Sequence, residues 1–217
     1  MMISTTDITT VGVMVAHPDD EILWAGGMLL MHPGWQCRIC TLCRASDADR
    51  EPKFRNVLRL LGASDEMADL DDGPDQRPLA ARDVEDTVAE LAGKGEYDLI
   101  LTHGPSGEYT RHLRHEETSR AVRELWRKGI IRARAMWLFA YRDQGRQSSL
   151  PQARDDAHLR VPLPQKVWDE KYRLVREVYG FAESSWEART TPGTEGFWCF
   201  DTPDDLTRWS EQNGESL

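Results

Sequence analysis

The sequence predicts an α/β fold, a Rossmann-like three-layer sandwich in which helices cover both faces of a mostly parallel sheet, with a small C-terminal extension. Three observations predict it. Short runs rich in Val, Ile and Leu alternate with longer amphipathic stretches, as a series of β-α units requires. Turn-forming segments such as "HPGW" and "LDDGPDQRP" punctuate the alternation. Polar residues crowd two of the strand ends, where open α/β sheets gather their ligands.

The apolar runs place strands over residues 11–16, 37–43, 67–70, 97–102 and 135–141. Amphipathic periodicity places helices over 21–31, 50–61, 79–92, 112–128 and 165–179. In the second helix Phe54, Val57, Leu58 and Leu61 form one stripe, and Gly62 follows as a C-terminal stop. That stripe is core. A long polar loop, "RDQGRQSSLPQARDDAHLRVPLPQ", separates the last strand from the last helix. Beyond about residue 150 the pattern is less regular. Trp186, Phe197, Trp198 and Phe200 lie close together there, as expected of a small element packing across the main sheet.

A chain of 217 residues suits a single domain over 1–217, its last third packed on the rest. Its 37 acidic and 27 Lys or Arg residues give a formal net charge of −10. That charge argues against nucleic acid and against attraction to an anionic membrane. No apolar run approaches the ~20 residues of a membrane span, and "MMISTTDITT" lacks the charged and apolar regions of a leader. The expected location is cytoplasmic. Cys37, Cys40 and Cys43 have a spacing that invites a metal reading, but strand alternation sends Cys37 and Cys43 to one face and Cys40 to the other. They are expected to be free, buried thiols.

The first strand runs into "AHPDDE". Clustered acids at a strand-to-helix corner repel each other and are costly to desolvate, and one acid suffices as a helix cap. The turn lacks the G-x-G-x-x-G of a phosphate cradle. An imidazole among carboxylates suits a divalent metal instead. After the strand "YDLILTH" comes "THGPSGEYTRHLRHEE", whose His112 and His115 share one face if that segment is helical. Alone, this spacing is weak. Beside "HPDDE" at another strand end of the same sheet it gains weight.

Together "AHPDDE" and "THGPSGEYTRHLRHEE" resemble the two signature motifs of the PIG-L/LmbE-like zinc-dependent de-N-acetylases, and the likeness extends through "DREPKFRNVLRLLG" and "LDDG" over roughly residues 11–128. The resemblance implies that His17, Asp20 and His115 bind Zn2+, with another divalent ion such as Fe2+ as the alternative. It makes Asp19 the general base and sets His112 beside the metal to stabilise an oxyanion or protonate the leaving amine. Arg50, Asp72 and Tyr109 become candidate substrate contacts. Glu21 is read as a first-turn acid or a partner to the site, and for His103 a loop hydrogen bond weighs at least as much as a site role. The implied reaction hydrolyses the amide of a small N-acylated substrate, a sugar or sugar conjugate, by activating water. Homo-oligomerisation is left open.

Two departures stand out. "YTRH" has one residue more than the common pattern between tyrosine and histidine, and "HLRH" puts Arg114 where the usual motif has an acid. Arg114 is expected to face solvent or to add positive charge near an acidic substrate. The competing readings are an amidase of the same mechanism acting on a non-sugar amide, and a non-catalytic metal- or ligand-binding module. An intact Asp19 and His112 favour an enzyme, since pure binding needs no spare base or acid.

Overall fold

The computed structural model describes residues 3–109, 112–143 and 150–215. In chain order it contains β1 (Thr10–Val15), α1 (Asp20–Met31), β2 (Gln36–Thr41), α2 (Arg50–Leu61), β3 (Ser64–Met67), α3 (Ala81–Ala92), β4 (Glu96–Thr102), α4 (Leu113–Arg127) and β5 (Arg132–Phe139). The C-terminal part adds β6 (Tyr141–Arg142), β7 (Gln152–Ala153), β8 (Leu159–Pro162), α5 (Gln165–Arg173), α6 (Trp186–Thr190), β9 (Thr194–Phe200) and α7 (Pro203–Asn213). A π-helical turn, Leu174–Val178, continues from α5.

Seven strands form one sheet in the order β3-β2-β1-β4-β5-β9-β8. The β1–β2, β1–β4, β2–β3 and β4–β5 pairs are parallel, whereas β9 is antiparallel to both β5 and β8. Strand alternation sorts the core into two layers. Val11, Val13 and Val15 of β1 face α1, α2 and the π turn, while Met14 faces the layer of α3, α4 and α7. Chain order reverses between β1 and β4, so their carboxyl ends open the crevice in which ligands of such sheets bind.

Several sequence expectations need correction. The third strand is 64–67, not 67–70, because "SDEM" is a half-exposed edge strand without an apolar signature. The C-terminal segment does not lie across the sheet but extends it, with β9 paired in register from Met136↔Phe200 to Phe139↔Phe197. Because β2 ends at Thr41, Cys43 escapes its alternation and joins Cys40 in one layer, while Cys37 packs against the other. The three do not converge, and all are free.

Local chemistry explains the helix ends that matter. Gly62 closes α2 at φ 68°, a left-handed conformation in which a Cβ would be strained. In α1, Gly27 allows a close approach: a Cβ there would stand 2.3 Å from Leu163 Cδ2 and 3.0 Å from Glu195 Cδ. The Glu195 carboxylate accepts from the N–H groups of Gly27 (2.6 Å) and Met28 (2.8 Å), and from Lys171 Nζ (2.7 Å). The Trp24 carbonyl, regular partner of the Met28 N–H, accepts from the Tyr141 hydroxyl at 2.8 Å. Helix α1 is thereby fastened to β9, α5 and β6.

Candidate active site

The turn after β1 places Asp19 at the N-cap of α1 in a left-handed conformation, φ 114° and ψ −28°, yet its side chain makes no capping hydrogen bond. Its carboxylate is therefore spent elsewhere: Asp19 Oδ2 accepts from Arg50 Nη1 at 2.9 Å. Asp20 Oδ2 accepts from the His17 N–H and Asp20 Oδ1 from Trp24 Nε1. Glu21, fully buried, accepts from the Asp19 N–H at 3.0 Å and from the Tyr179 hydroxyl. Its role as a support to the site thus outweighs any effect on the helix dipole.

The three acids are not three equal charges. Burial, reinforced by Asp20, pushes Asp19 up to about 7, although Arg50 and His17 oppose the shift. Burial pushes Glu21 up to about 8. For Asp20 burial is outweighed by His115 and His103, which hold it well below the ordinary carboxylate range.

From the neighbouring strand end, the segment between β4 and α4 brings in His103, Glu108, Tyr109, His112 and His115. Glu108 is fully buried and accepts from His103 Nδ1 (2.9 Å), His115 Nδ1 (2.6 Å) and the Gly104 N–H (3.0 Å). Burial disfavours its charge, but His103 and His115 hold it down to about 2. A carboxylate can only accept, so both rings carry a proton on Nδ1. His103 Nε2 then accepts from the Ala16 N–H at 2.9 Å, and His115 Nε2 turns its lone pair toward β1.

There it meets two further atoms that can offer a lone pair. His115 Nε2 lies 3.3 Å from His17 Nδ1 and 3.4 Å from Asp20 Oδ2, and the last two atoms are 3.3 Å apart. Ligands held tetrahedrally at about 2.0–2.1 Å from a shared zinc ion stand about 3.3–3.4 Å from one another. The triangle has the edge lengths that such an ion needs. Two overlapping groups, His17/His112/His115 and Asp20/His103/His115, also bring their ligand atoms within 4.8 Å of one another. His103 belongs to the support, since both its nitrogens are engaged.

A cavity of ≈ 230 Å³ opens over this triangle, with Asp19, Arg50, Asp72, Tyr109 and His112 among its lining residues. Every sequence-predicted site residue therefore reaches one place. Burial, with the neighbouring His115 and His17 beyond it, pushes His112 down to about 3; its buried Nδ1 has no hydrogen-bond partner. Burial, with Asp20 and Glu108 beyond it, raises the Tyr109 hydroxyl and keeps it protonated. Thr110 and Arg111, the lengthened part of the motif, lie outside the described residues.

Arg114 corrects its expectation. It is 2% exposed and faces neither solvent nor cavity. It donates to the Asp71 and Arg77 carbonyls at 2.6 Å and to Glu117, which fastens the loop carrying Asp72 to α4. Asp72 itself accepts from Arg44 (3.0 and 2.5 Å) and Gln76 (2.9 Å), and its Oδ1 stands 3.2 Å from His17 Nε2. Among the described residues, three non-glycine residues have positive φ: Asp19, Arg44 (76°) and Gln76 (44°). All three are at or next to the cavity. Such conformations cost on the order of 1–3 kcal/mol each and persist where surrounding bonds enforce them.

Sequence reasoning missed Glu108, Arg44, Trp186 and Glu187. Glu108 lies in a loop without periodicity, and the last two come from the C-terminal part, whose place beside the site only the fold reveals.

The profile of the PIG-L family, described as GlcNAc-PI de-N-acetylase, matches residues 13–126. A curated relative, the uncharacterized protein L374 of Acanthamoeba polyphaga mimivirus, is 25% identical over 127 residues, 52% of this chain and 56% of its own length. The match thus spans little more than half of that relative. Among solved structures, N,N'-diacetylchitobiose deacetylase from Pyrococcus horikoshii superposes with a TM-score of 0.67 at 16% identity, covering 90% of this chain and 85% of its own. The 4-carboxy-2-hydroxymuconate hydratase GalB of Pseudomonas putida superposes with a TM-score of 0.64 at 18% identity, covering 88% and 96%. At these identities the superpositions establish the fold alone.

Proposed function

Because the chain belongs to the PIG-L family of GlcNAc-PI de-N-acetylases, we propose that it is a metal-dependent hydrolase that removes an acetyl or other acyl group from an N-acylated sugar or sugar conjugate. The observation that carries this reading is the triangle of His17 Nδ1, Asp20 Oδ2 and His115 Nε2, whose edges of 3.3, 3.3 and 3.4 Å suit one tetrahedral divalent ion. Two imidazoles and a carboxylate favour Zn2+, with Fe2+ as the alternative. When bound, such an ion polarises a carbonyl and lowers the pKa of water.

The remaining steps belong to the chain. Asp19, at about 7 and held by Arg50, takes the proton of the attacking water, and the oxygen adds to the acyl carbon. Tyr109 and the N–H of His112 donate hydrogen bonds to the negative charge that develops on the carbonyl oxygen. Asp19 then delivers to nitrogen the proton it took, with His112 beside it as the alternative donor to the amine. The C–N bond breaks, and an amine and a carboxylate leave. A hydratase shares the fold, so this assignment rests on the site and not on the architecture.

The test is amine release from a panel of N-acetyl sugars, with and without chelator, together with metal content. Purified protein should hold close to one divalent ion per chain, and His115→Ala should lose it. Asp19→Asn should keep the ion and lose about 10²–10⁴-fold in kcat. Near-wild-type turnover by Asp19→Asn would remove the base from the mechanism.

A further inference from the structure

The family profile ends at residue 126, but the walls of the cavity do not. Helix α6, sixty residues further on, contributes Trp186 and Glu187 to the lining. Ser185 accepts from the Ala188 N–H at 3.1 Å and so fixes how the helix begins. The Trp186 ring is backed by Tyr109 (centroids 4.6 Å apart) and by Trp24 (6.3 Å), which immobilises it before any ligand arrives. The Glu187 carboxylate forms no hydrogen bond or ion pair with another described residue, although it faces the same space as Asp19.

Polar groups in this cavity alternate in kind. Arg44 and Arg50 donate, Asp72 and Glu187 accept, and an indole stands among them. A hydroxyl both donates and accepts, so a ring bearing several of them satisfies such a lining, whereas an alkyl amide would leave Glu187 desolvated and unpaired. At ≈ 230 Å³ the cavity is smaller than the pockets of about 300 Å³ and above that hold drug-sized ligands, and it accommodates one ring-sized group.

We propose that Trp186 and Glu187 are the residues that select the amine half of the substrate: the indole takes the apolar face of a pyranose ring, and Glu187 accepts from its hydroxyls. This assignment rests on the deacetylase reading above. It locates selectivity outside the motif-bearing part of the chain, so that the chemistry comes from β1 and β4 and the choice of substrate from α6.

The experiment compares two acetamides of similar ring size, the methyl glycoside of N-acetylglucosamine and N-cyclohexylacetamide, which lacks the hydroxyls. Amine release is followed for the wild type, Glu187→Gln, Trp186→Ala and Trp186→Phe as metal-replete full-length protein. Wild type should prefer the glycoside, and Glu187→Gln and Trp186→Ala should each lower that preference about tenfold through KM, with kcat changed far less. Trp186→Phe should recover most of the loss, and Glu187→Gln, nearly isosteric and outside the core, covers the case in which Trp186→Ala misfolds. An unchanged preference in Glu187→Gln and in every folded Trp186 variant overturns the assignment while leaving the deacetylase intact. A wild type that releases amine only from N-cyclohexylacetamide, or from neither compound, overturns the sugar deacetylase reading and this assignment with it.

Discussion

Glu108 shows how much of a site can depend on a side chain that no ligand touches. One buried carboxylate receives the Nδ1 protons of His103 and His115 and thereby fixes the tautomer of each ring. Both Nδ1 protons go to Oε2 and the Gly104 N–H to Oε1, so with Gln in its place the amide NH2 faces either both imidazole protons or the Gly104 N–H, and the constraint that turns His115 Nε2 toward His17 and Asp20 is weakened. Supports of this kind are typically worth 10–100-fold in metal affinity. Glu108→Gln is accordingly expected to weaken divalent-ion binding by about one to two orders of magnitude while leaving the fold in place, as read by competition with a chromogenic chelator and by circular dichroism. Retention of wild-type affinity would show that the tautomer is set elsewhere. In the sequence, His17, Asp19, Asp20, His112 and His115 draw attention because they crowd two strand ends and match the motifs of a known family, and the fold brings them to one cavity, with His112 at the extended N-cap of α4 and not on the helix itself. Glu108 does not, since a loop acid has no period to betray it, and Arg114 misleads because its burial is decided by the carbonyls of a distant loop.

At the scale of elements, the same contrast separates the parallel half of the sheet from the antiparallel edge. Strands β1, β2, β4 and β5 announce themselves as apolar runs because helices bury both their faces, whereas β3 is a polar edge strand that its composition conceals. In β9, Phe197 and Trp198 pack into opposite layers, so its aromatic run lacks the alternation that marks a one-sided strand. What ties this edge to the site helix is the Lys171–Glu195 pair, both side chains 0% exposed. Burial pushes Lys171 below its ordinary value, against the pull of Glu195. Breaking a buried pair from one side costs about 3–5 kcal/mol because the remaining charge is stranded. Lys171→Met leaves Glu195 with two backbone donors, while Glu195→Leu strands both Lys171 and those amides. Urea unfolding should therefore rank Glu195→Leu as the more damaging change, and the opposite order would show that the amides find other partners.

For the molecule as a whole, carboxylates also act as fasteners. Asp98 of β4 accepts from the N–H groups of Thr9 (2.9 Å) and Thr10 (3.0 Å), from both their hydroxyls and from Arg134, so one side chain joins the start of β1 to β4 and β5. The Thr9 amide, with its neighbours, holds Asp98 below the ordinary carboxylate value against a small opposing effect of burial. The sign follows from linkage: this stabilisation is complete above the unfolded value of about 3.9 and fades as pH falls through the lower folded one. Asp98→Asn should lower unfolding free energy by about 1–3 kcal/mol near pH 7 and progressively less as pH falls below about 3.9, so that the two stability curves converge only in strong acid, near the folded value. Parallel curves would assign the loss to geometry instead of charge. Among the described residues no helix is long and apolar enough to cross a membrane.

The bonds from Glu195 to Gly27 and Met28 join residues 168 and 167 positions apart. Synthesis runs from the N-terminus, at roughly 5–20 residues per second. The helix that begins with the acid pair is thus made on the order of ten seconds before the carboxylate that completes it. Until then the two amides in its middle have water where β9 will be, and the first segment of the site to leave the ribosome is among the last to be finished.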